Sequence, residues 1–297
     1  MQQTAPARGP LVWRDMDQKA LDDAYDQLVY APNRDLVLAR LMAASEAARK
    51  NLGAPQRVAY GPSEYERLDI YRAAGSKPAP LNVFVHGGAW LRGSAAEMAL
   101  VAEPIVRAGA HAVVIDFINV AESGGDLTPM AEQVARAIAW AWRNAESFGG
   151  DRSRFYVSAH SSGAHLAACA LSRGWRAENL PVDFCNGALL VGGMYDLEPV
   201  RLSARSAYVK FTAAMEDALS PQRHIDGIIM PLIVAYGTCE TPEFQRHPRD
   251  FFAALKAKGK AAELLVAEGY NHFELFETMA NPYGLIGRAR LRQMGLA

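Results

Sequence analysis

Cysteine is scarce in this chain. Its 297 residues include three, Cys169, Cys185 and Cys239, odd in number and widely spaced, so they offer neither a disulfide framework nor a CxxC metal pair. Each reads as a small core residue of a reduced, cytoplasmic protein. An excess of either charge is also missing. The 31 Lys and Arg stand against 32 Asp and Glu, a formal net charge of −1, which leaves no basic field for nucleic acid or an anionic membrane. No apolar run reaches the ~18 residues of a membrane span. The N-terminal MQQTAPARGPLVWRDMDQKA lacks the apolar core of a signal peptide and reads as a short, floppy lead-in. The histidines form no HExxH, and His160 and His165 do not share a helix face, so a metal site is not expected. Internal repeats, low-complexity tracts and linkers rich in Gly, Ser or Pro are absent as well. One domain over residues 1–297 is expected, with about 1–53 as a helical segment packed on it.

What is present is strand–helix alternation. DQKALDDAYDQLVYA and DLVLARLMAASEAARKNL have helical periodicity, the second ending at Gly53. QRVAYG and RLDIYRA alternate apolar and polar residues as edge strands do. PLNVFVHGG is a continuous apolar run, the mark of a strand buried on both faces. Further strands are predicted at HAVVIDF, RFYVSAH, FCNGALLVGG, PLIVAYG and AELLVAEG. The clearest helix between them is TPMAEQVARAIAWAWRNA, with Thr128 as its cap and Pro129 as its first residue. This pattern predicts a mostly parallel sheet covered by helices on both faces. Ligands of such sheets bind beyond the carboxyl ends of the strands.

Those ends carry a selective set of side chains. In order they are His86-Gly87-Gly88-Ala89-Trp90, His160-Ser161-Ser162-Gly163, Tyr195-Asp196, Cys239-Glu240 and Asn271-His272-Phe273. A serine, then acid candidates at Asp196 and Glu240, then a histidine is the chain order of an α/β-hydrolase triad. Two adjacent serines compete for the nucleophile position. Centring on Ser161 puts Ala159 and Gly163 at the two small positions of a strand-to-helix elbow, whereas centring on Ser162 would force His160 into a crowded one. Ser161 is the better nucleophile, and Ser162 then offers a main-chain N–H to an oxyanion hole at the helix N-terminus. Small-x-Ser-x-Gly alone is common by chance, and the other strand ends lift it above that level. Gly87, Gly88 and Ala89 can supply further N–H donors. His86 reads as a structural histidine that fixes this loop.

Together HGGAW, AHSSGAH, MYDLEP, CETPEFQRH and GYNHFELFETMANPYG resemble the arylformamidase (kynurenine formamidase) branch of the esterase/lipase α/β-hydrolases, from about Trp13 to the C-terminus. The resemblance implies an eight-stranded, mostly parallel sheet, with N-terminal helices near the active site. It also implies that the acid is the residue before the Thr-Pro-Glu-Phe segment. That residue is normally Asp and here is Glu240. Glutamate can do the job of orienting the imidazole and stabilising the imidazolium, though its extra methylene requires a slight backbone adjustment. Asp196 ranks second, because Asp-Leu-Glu-Pro reads as a loop-entry turn. Glu274 is expected to face elsewhere, and Cys239 lacks an elbow that would make it a nucleophile. His272 is the expected general base.

Trp90, Tyr195 and Phe273 are candidate walls of an apolar substrate pocket. Trp13, Tyr25 and Tyr30 belong to a segment that could fold over the strand ends as a partial lid. The reading is a serine hydrolase of a small-molecule carboxylic ester or N-formyl/N-acyl arylamine, needing no cofactor and compatible with a homodimer. The alternative is a non-catalytic hydrolase scaffold used as a small-molecule receptor.

Overall fold

The computed structural model of the chain describes residues 9–75, 77–175 and 179–297. Part of the expected lead-in, residues 1–8, lies outside the described residues. The remainder is folded rather than floppy. β1 (Leu11–Trp13) and β2 (Met16–Asp17) pair as an antiparallel ribbon. Asp17 then caps the helix Gln18–Ala24 by accepting the Ala20 N–H at 2.9 Å. The helix expected to continue through Tyr30 breaks, because the Asp26 carboxylate takes the Leu28 N–H at 2.9 Å and starts a separate turn, Gln27–Tyr30. Short acidic side chains compete with the helical backbone in this way. Arg34–Leu52 forms the expected long helix and buries Val37, Leu41, Ser45 and Ala48 along one stripe.

All eight predicted strand segments join one sheet. β3 (Gln56–Ala59), β4 (Arg67–Tyr71), β5 (Ala79–Val85), β6 (His111–Ile115), β7 (Gly150–His160), β8 (Gly187–Val191), β9 (Leu232–Gly237) and β10 (Ala262–Ala267) lie in the order β10-β9-β8-β7-β5-β6-β4-β3. From β10 to β6 all neighbours are parallel, while β4 and β3 add an antiparallel edge. The parallel strands read as unbroken apolar runs because both faces are covered. Val83, Val85, Val157, Ala159 and Val234 enter one apolar cluster with Val134 and Ile138 of the helix Thr128–Asn144. Phe84, Val114, Val191 and Ala235 enter the other with Val37, Ile105 and Phe276. Period-two alternation delivers successive side chains to opposite faces.

One helix start moves by a residue. Thr128 is the first helical residue instead of the cap, Leu127 holds the cap position, and Asp126 Oδ1 accepts the Thr128 N–H at 2.8 Å. Among the described residues no helix is long and apolar enough to cross a membrane. The register pairs Val85 with Ala159 and His160 with Val191. The loops after β5, β7 and β8 therefore leave the sheet side by side.

Candidate active site

β7 ends at His160, and the helix Ser162–Ser172 begins two residues later, so the chain must reverse at Ser161. It does so with φ 57° and ψ −129°, a region unfavourable for a residue with a Cβ. The Ser161 N–H donates to Val191 O at 2.8 Å, which anchors the turn to β8. Gly163 is required by close approach, since a Cβ there would lie 2.3 Å from His86 O and 2.4 Å from Val85 O. Ala159 fills the other small position with no exposure.

Three strand ends converge on this turn. His272 Nε2 lies 2.8 Å from Ser161 Oγ, and His272 Nδ1 lies 2.6 Å from Glu240 Oε1. The other carboxylate oxygen, Glu240 Oε2, accepts the Gly237 N–H at 2.8 Å. His272 opens the helix His272–Met279, whose capping box pairs Asn271 with Glu274. The His272 carbonyl also accepts from His160 Nε2–H at 3.1 Å, with the two rings 4.6 Å apart. The Phe244 ring packs edge-on to the imidazole, with its centroid at 5.0 Å. Room for the longer glutamate comes from Gly192, at φ +56°, where a Cβ would sit 2.9 Å from Glu240 Oε1 and 3.0 Å from His272 Nδ1.

Burial dominates the electrostatics. It pushes the Glu240 carboxyl up and the His272 imidazole down, and the nearby Arg205 charge adds to the second effect. At 2.6 Å the two groups titrate as one unit. With Glu240 ionised and His272 neutral the pair carries one buried negative charge. Burial therefore favours uptake of a first proton and opposes a second.

The loop after β5 wraps the turn with an unusual backbone: Gly88, Ala89 and Trp90 have φ of 124°, 56° and 66°. Gly87 lies against the serine, where a Cβ would be 2.8 Å from Ser161 Cβ. Among the described residues, the N–H groups of Gly87, Gly88, Ala89 and Ser162 have no protein acceptor, while the Trp90 N–H donates to Ser162 Oγ at 3.2 Å. His86 is a structural histidine as expected: its Nδ1–H donates to Gly87 O at 2.8 Å and its ring stacks on Phe117. A cavity of about 300 Å³ beside this loop is lined by residues including His86, Trp90, Arg92 and Phe117, and Ser161, Glu240 and His272 are not in its wall.

Other expectations are placed differently. Trp90 and Tyr195 are core residues rather than open pocket walls, at 2% and 0% exposure. The turn at Trp90 directs its ring inward onto His165, and Tyr195 stacks on Phe251 at 4.2 Å. Phe273 is half-buried, its centroid 5.7 Å from that of His272. Asp196 caps the helix Leu197–Leu202 through the Glu198 N–H and is 3.4 Å from Arg223, so its carboxylate is engaged away from His272. Glu274 is held by the Asn271 N–H and the Asn33 side chain. Cys169 and Cys185 are buried as expected, but Cys239 is exposed, because it lies in the turn between β9 and the Glu240 loop and not in the strand.

The N-terminal segment is tied to the loops that carry Glu240 and His272. Thr241 Oγ1 donates to Ala24 O at 2.5 Å, and Asn271 Nδ2 donates to Asn33 Oδ1 at 2.7 Å. Tyr25 is buried between Glu243 and His247. His247 Nδ1 accepts the Tyr195 N–H, so its Nε2–H donates to the Tyr25 hydroxyl, which in turn donates to Glu243. Sequence reasoning missed Gly192, for which the Gly-Gly pair ending LLVGG was a signal, and Arg205, for which there was none.

The chain is similar to several known proteins. The BD-FAE family model matches residues 68–179. The kynurenine formamidase of Danio rerio is 28% identical over 295 residues, covering 95% of this chain and 98% of that protein. The isoprenylcysteine alpha-carbonyl methylesterase ICME of Arabidopsis thaliana is 26% identical over 242 residues, covering 74% of this chain and 56% of that protein. The crystal structure of esterase LipW from Mycobacterium marinum superposes with a TM-score of 0.70 at 19% identity, covering 92% of this chain and 90% of that one. The chain has the α/β-hydrolase fold, is similar to the arylformamidases and to esterases, and is a hydrolase.

Proposed function

We propose that Ser161, His272 and Glu240 form the catalytic triad, and that the substrate is a small carboxylic ester or an N-formyl or N-acyl arylamine. The observation that carries the assignment is the unbroken chain of contacts from Glu240 Oε1 to His272 Nδ1 at 2.6 Å and from His272 Nε2 to Ser161 Oγ at 2.8 Å. Glu240 fixes the tautomer in which Nε2 bears the lone pair. Ser161 Oγ attacks the carbonyl carbon while His272 takes its proton, and the resulting oxyanion is received by N–H groups of the loop 87–89 and of Ser162. His272 then protonates the leaving alkoxide or amine, leaving an acyl-serine. Water activated by His272 hydrolyses that ester and restores the serine.

Support for the aryl-amide side of this reading comes from likeness to the kynurenine formamidases over nearly the whole chain. Three free cysteines, Cys239 among them exposed, fit a reducing compartment and support the cytoplasmic reading. The test is labelling with a fluorophosphonate, followed by mass spectrometry of the peptide 154–174 and assays of N-formylkynurenine beside short and long aryl esters. A phosphonyl group on Ser161, absent from Ser161→Ala, is expected. A label on Ser162 would move the nucleophile by one residue. A protein left unmarked and inactive on every substrate would return the scaffold to the receptor reading.

A further inference from the structure

Arg205 stands beside the triad, and among the described residues it has no counter-ion. Its guanidinium carbon lies 5.4 Å from the centroid of the Trp90 ring and 6.0 Å from that of Phe244. Trp90 ends the loop that faces Ser161, and Phe244 packs on His272. The cation therefore lies against both rings, one of which packs on the imidazole. It is close enough to His272 to add to burial in holding that imidazole down.

The guanidinium is fixed in place. One terminal nitrogen donates to Tyr208 Oη at 2.7 Å and the other to Tyr25 O at 3.1 Å. Its Nε–H is buried and has no protein acceptor. Among the described residues no carboxylate lies within ion-pair range of it. The neighbouring acids are otherwise engaged: Glu243 is paired with Arg246 at 2.7 Å, and Glu240 holds His272. A guanidinium has five N–H donors in a planar fork suited to a carboxylate. Two neutral acceptors leave both its charge and part of that fork unused. The aromatic faces hold it by cation–π attraction without neutralising it. The residue is half-buried rather than sealed in the core.

We infer that Arg205 is a specificity residue that binds an anionic group, a carboxylate, on the substrate while its ester or amide carbonyl meets Ser161. The inference rests on the triad reading above and narrows its substrate class to acids carrying a cleavable acyl or formyl group. The positive charge has a second consequence: it would oppose leaving groups that carry an ammonium close to the rings of Trp90 and Phe244.

The test compares acetyl esters of para-hydroxyphenylacetate and para-hydroxyphenylacetamide, which differ in one negative charge and little in size. Wild type is expected to prefer the anionic ester, with the preference narrowing as salt is raised. Arg205→Met should lower kcat/KM for the anionic ester by roughly 10- to 100-fold, chiefly through KM, the range expected for a lost charge-assisted hydrogen bond. The loss on the neutral ester should be clearly smaller than the loss on the anionic one, and Arg205→Lys should recover part of the preference. Equal losses on both esters would mean that Arg205 only braces Tyr25 and Tyr208, and would overturn the assignment. So would a wild type indifferent to the charge. If Ser161→Ala still hydrolysed both esters, the triad reading itself would fall.

Discussion

The main-chain N–H of Trp90 donates to the hydroxyl of Ser162 at 3.2 Å, so the second serine of the pair ties the glycine loop to the elbow. The sequence assigns Ser162 a main-chain role alone, and the structure adds this side-chain one. Ser162→Ala keeps the N–H that we propose for the oxyanion hole and loses only the tie. A neutral hydrogen bond contributes about 1 kcal/mol, so turnover should fall roughly fivefold. Ser162→Pro removes the N–H itself. Because Ser162 is the first residue of its helix, where proline is tolerated, the fold should survive, as circular dichroism would report. Its turnover should drop by roughly 100- to 1,000-fold, the cost of one oxyanion donor. Similar losses in the two variants would remove Ser162 from the hole.

Gly192 carries a prediction of a different kind, because it brings no side chain to the site. Its φ of +56° and the 2.9 and 3.0 Å approaches of Glu240 Oε1 and His272 Nδ1 leave no space for a methyl group. Gly192→Ala should add about 1–2 kcal/mol of left-handed strain and push the acid and base apart. The expected result is a lower Tm together with a loss of turnover far greater than the loss of folded protein explains. An alanine variant with full activity would show that the acid–base contact tolerates displacement.

The sheet was legible because both its faces are buried. Segments such as Val83-Phe84-Val85 and Leu189-Leu190-Val191 supply apolar side chains to two clusters at once, and nothing but a covered parallel strand needs that. The elbow was legible because steric crowding demands small residues at 159 and 163. The break at Tyr25 and the shifted cap at Thr128 were not, since both depend on which aspartate takes which N–H, a competition decided by local geometry. Cys239 is exposed because strand β9 ends two residues before it, and an apolar-looking residue type says little about a turn. Arg205 left no trace in the sequence. Its significance arises from three segments, 86–90, 242–247 and 24–25, meeting around it.

Asp196 offers a control on the choice of acid. It caps a short helix and stands 3.4 Å from Arg223, with no contact to His272. Asn is an equally good cap, so Asp196→Asn should leave kcat within about twofold and shift Tm slightly through the weakened contact with a surface arginine. Loss of activity in a well-folded Asp196→Asn protein would reopen the assignment of Glu240.

The sharpest consequence concerns pH. In its active state the Glu240–His272 pair carries one buried negative charge. Taking up a proton neutralises that charge, and burial favours the step, so in wild type kcat/KM should fall as pH drops through an apparent pKa well above the ordinary carboxyl value. Glu240→Gln removes the charge. Protonating His272 then creates an uncompensated buried cation near Arg205, which burial and that charge both oppose. The acid limb of the residual activity should therefore move to lower pH by roughly 1–3 units, while turnover on the plateau falls by orders of magnitude, because glutamine can hold the imidazole in the wrong tautomer. The measurement is kcat/KM against pH for both proteins on one neutral aryl ester, chosen so that Arg205 sees no change in substrate charge. A limb that stays in place, or moves to higher pH, would mean that the carboxylate beside His272 is not the charge that sets its protonation.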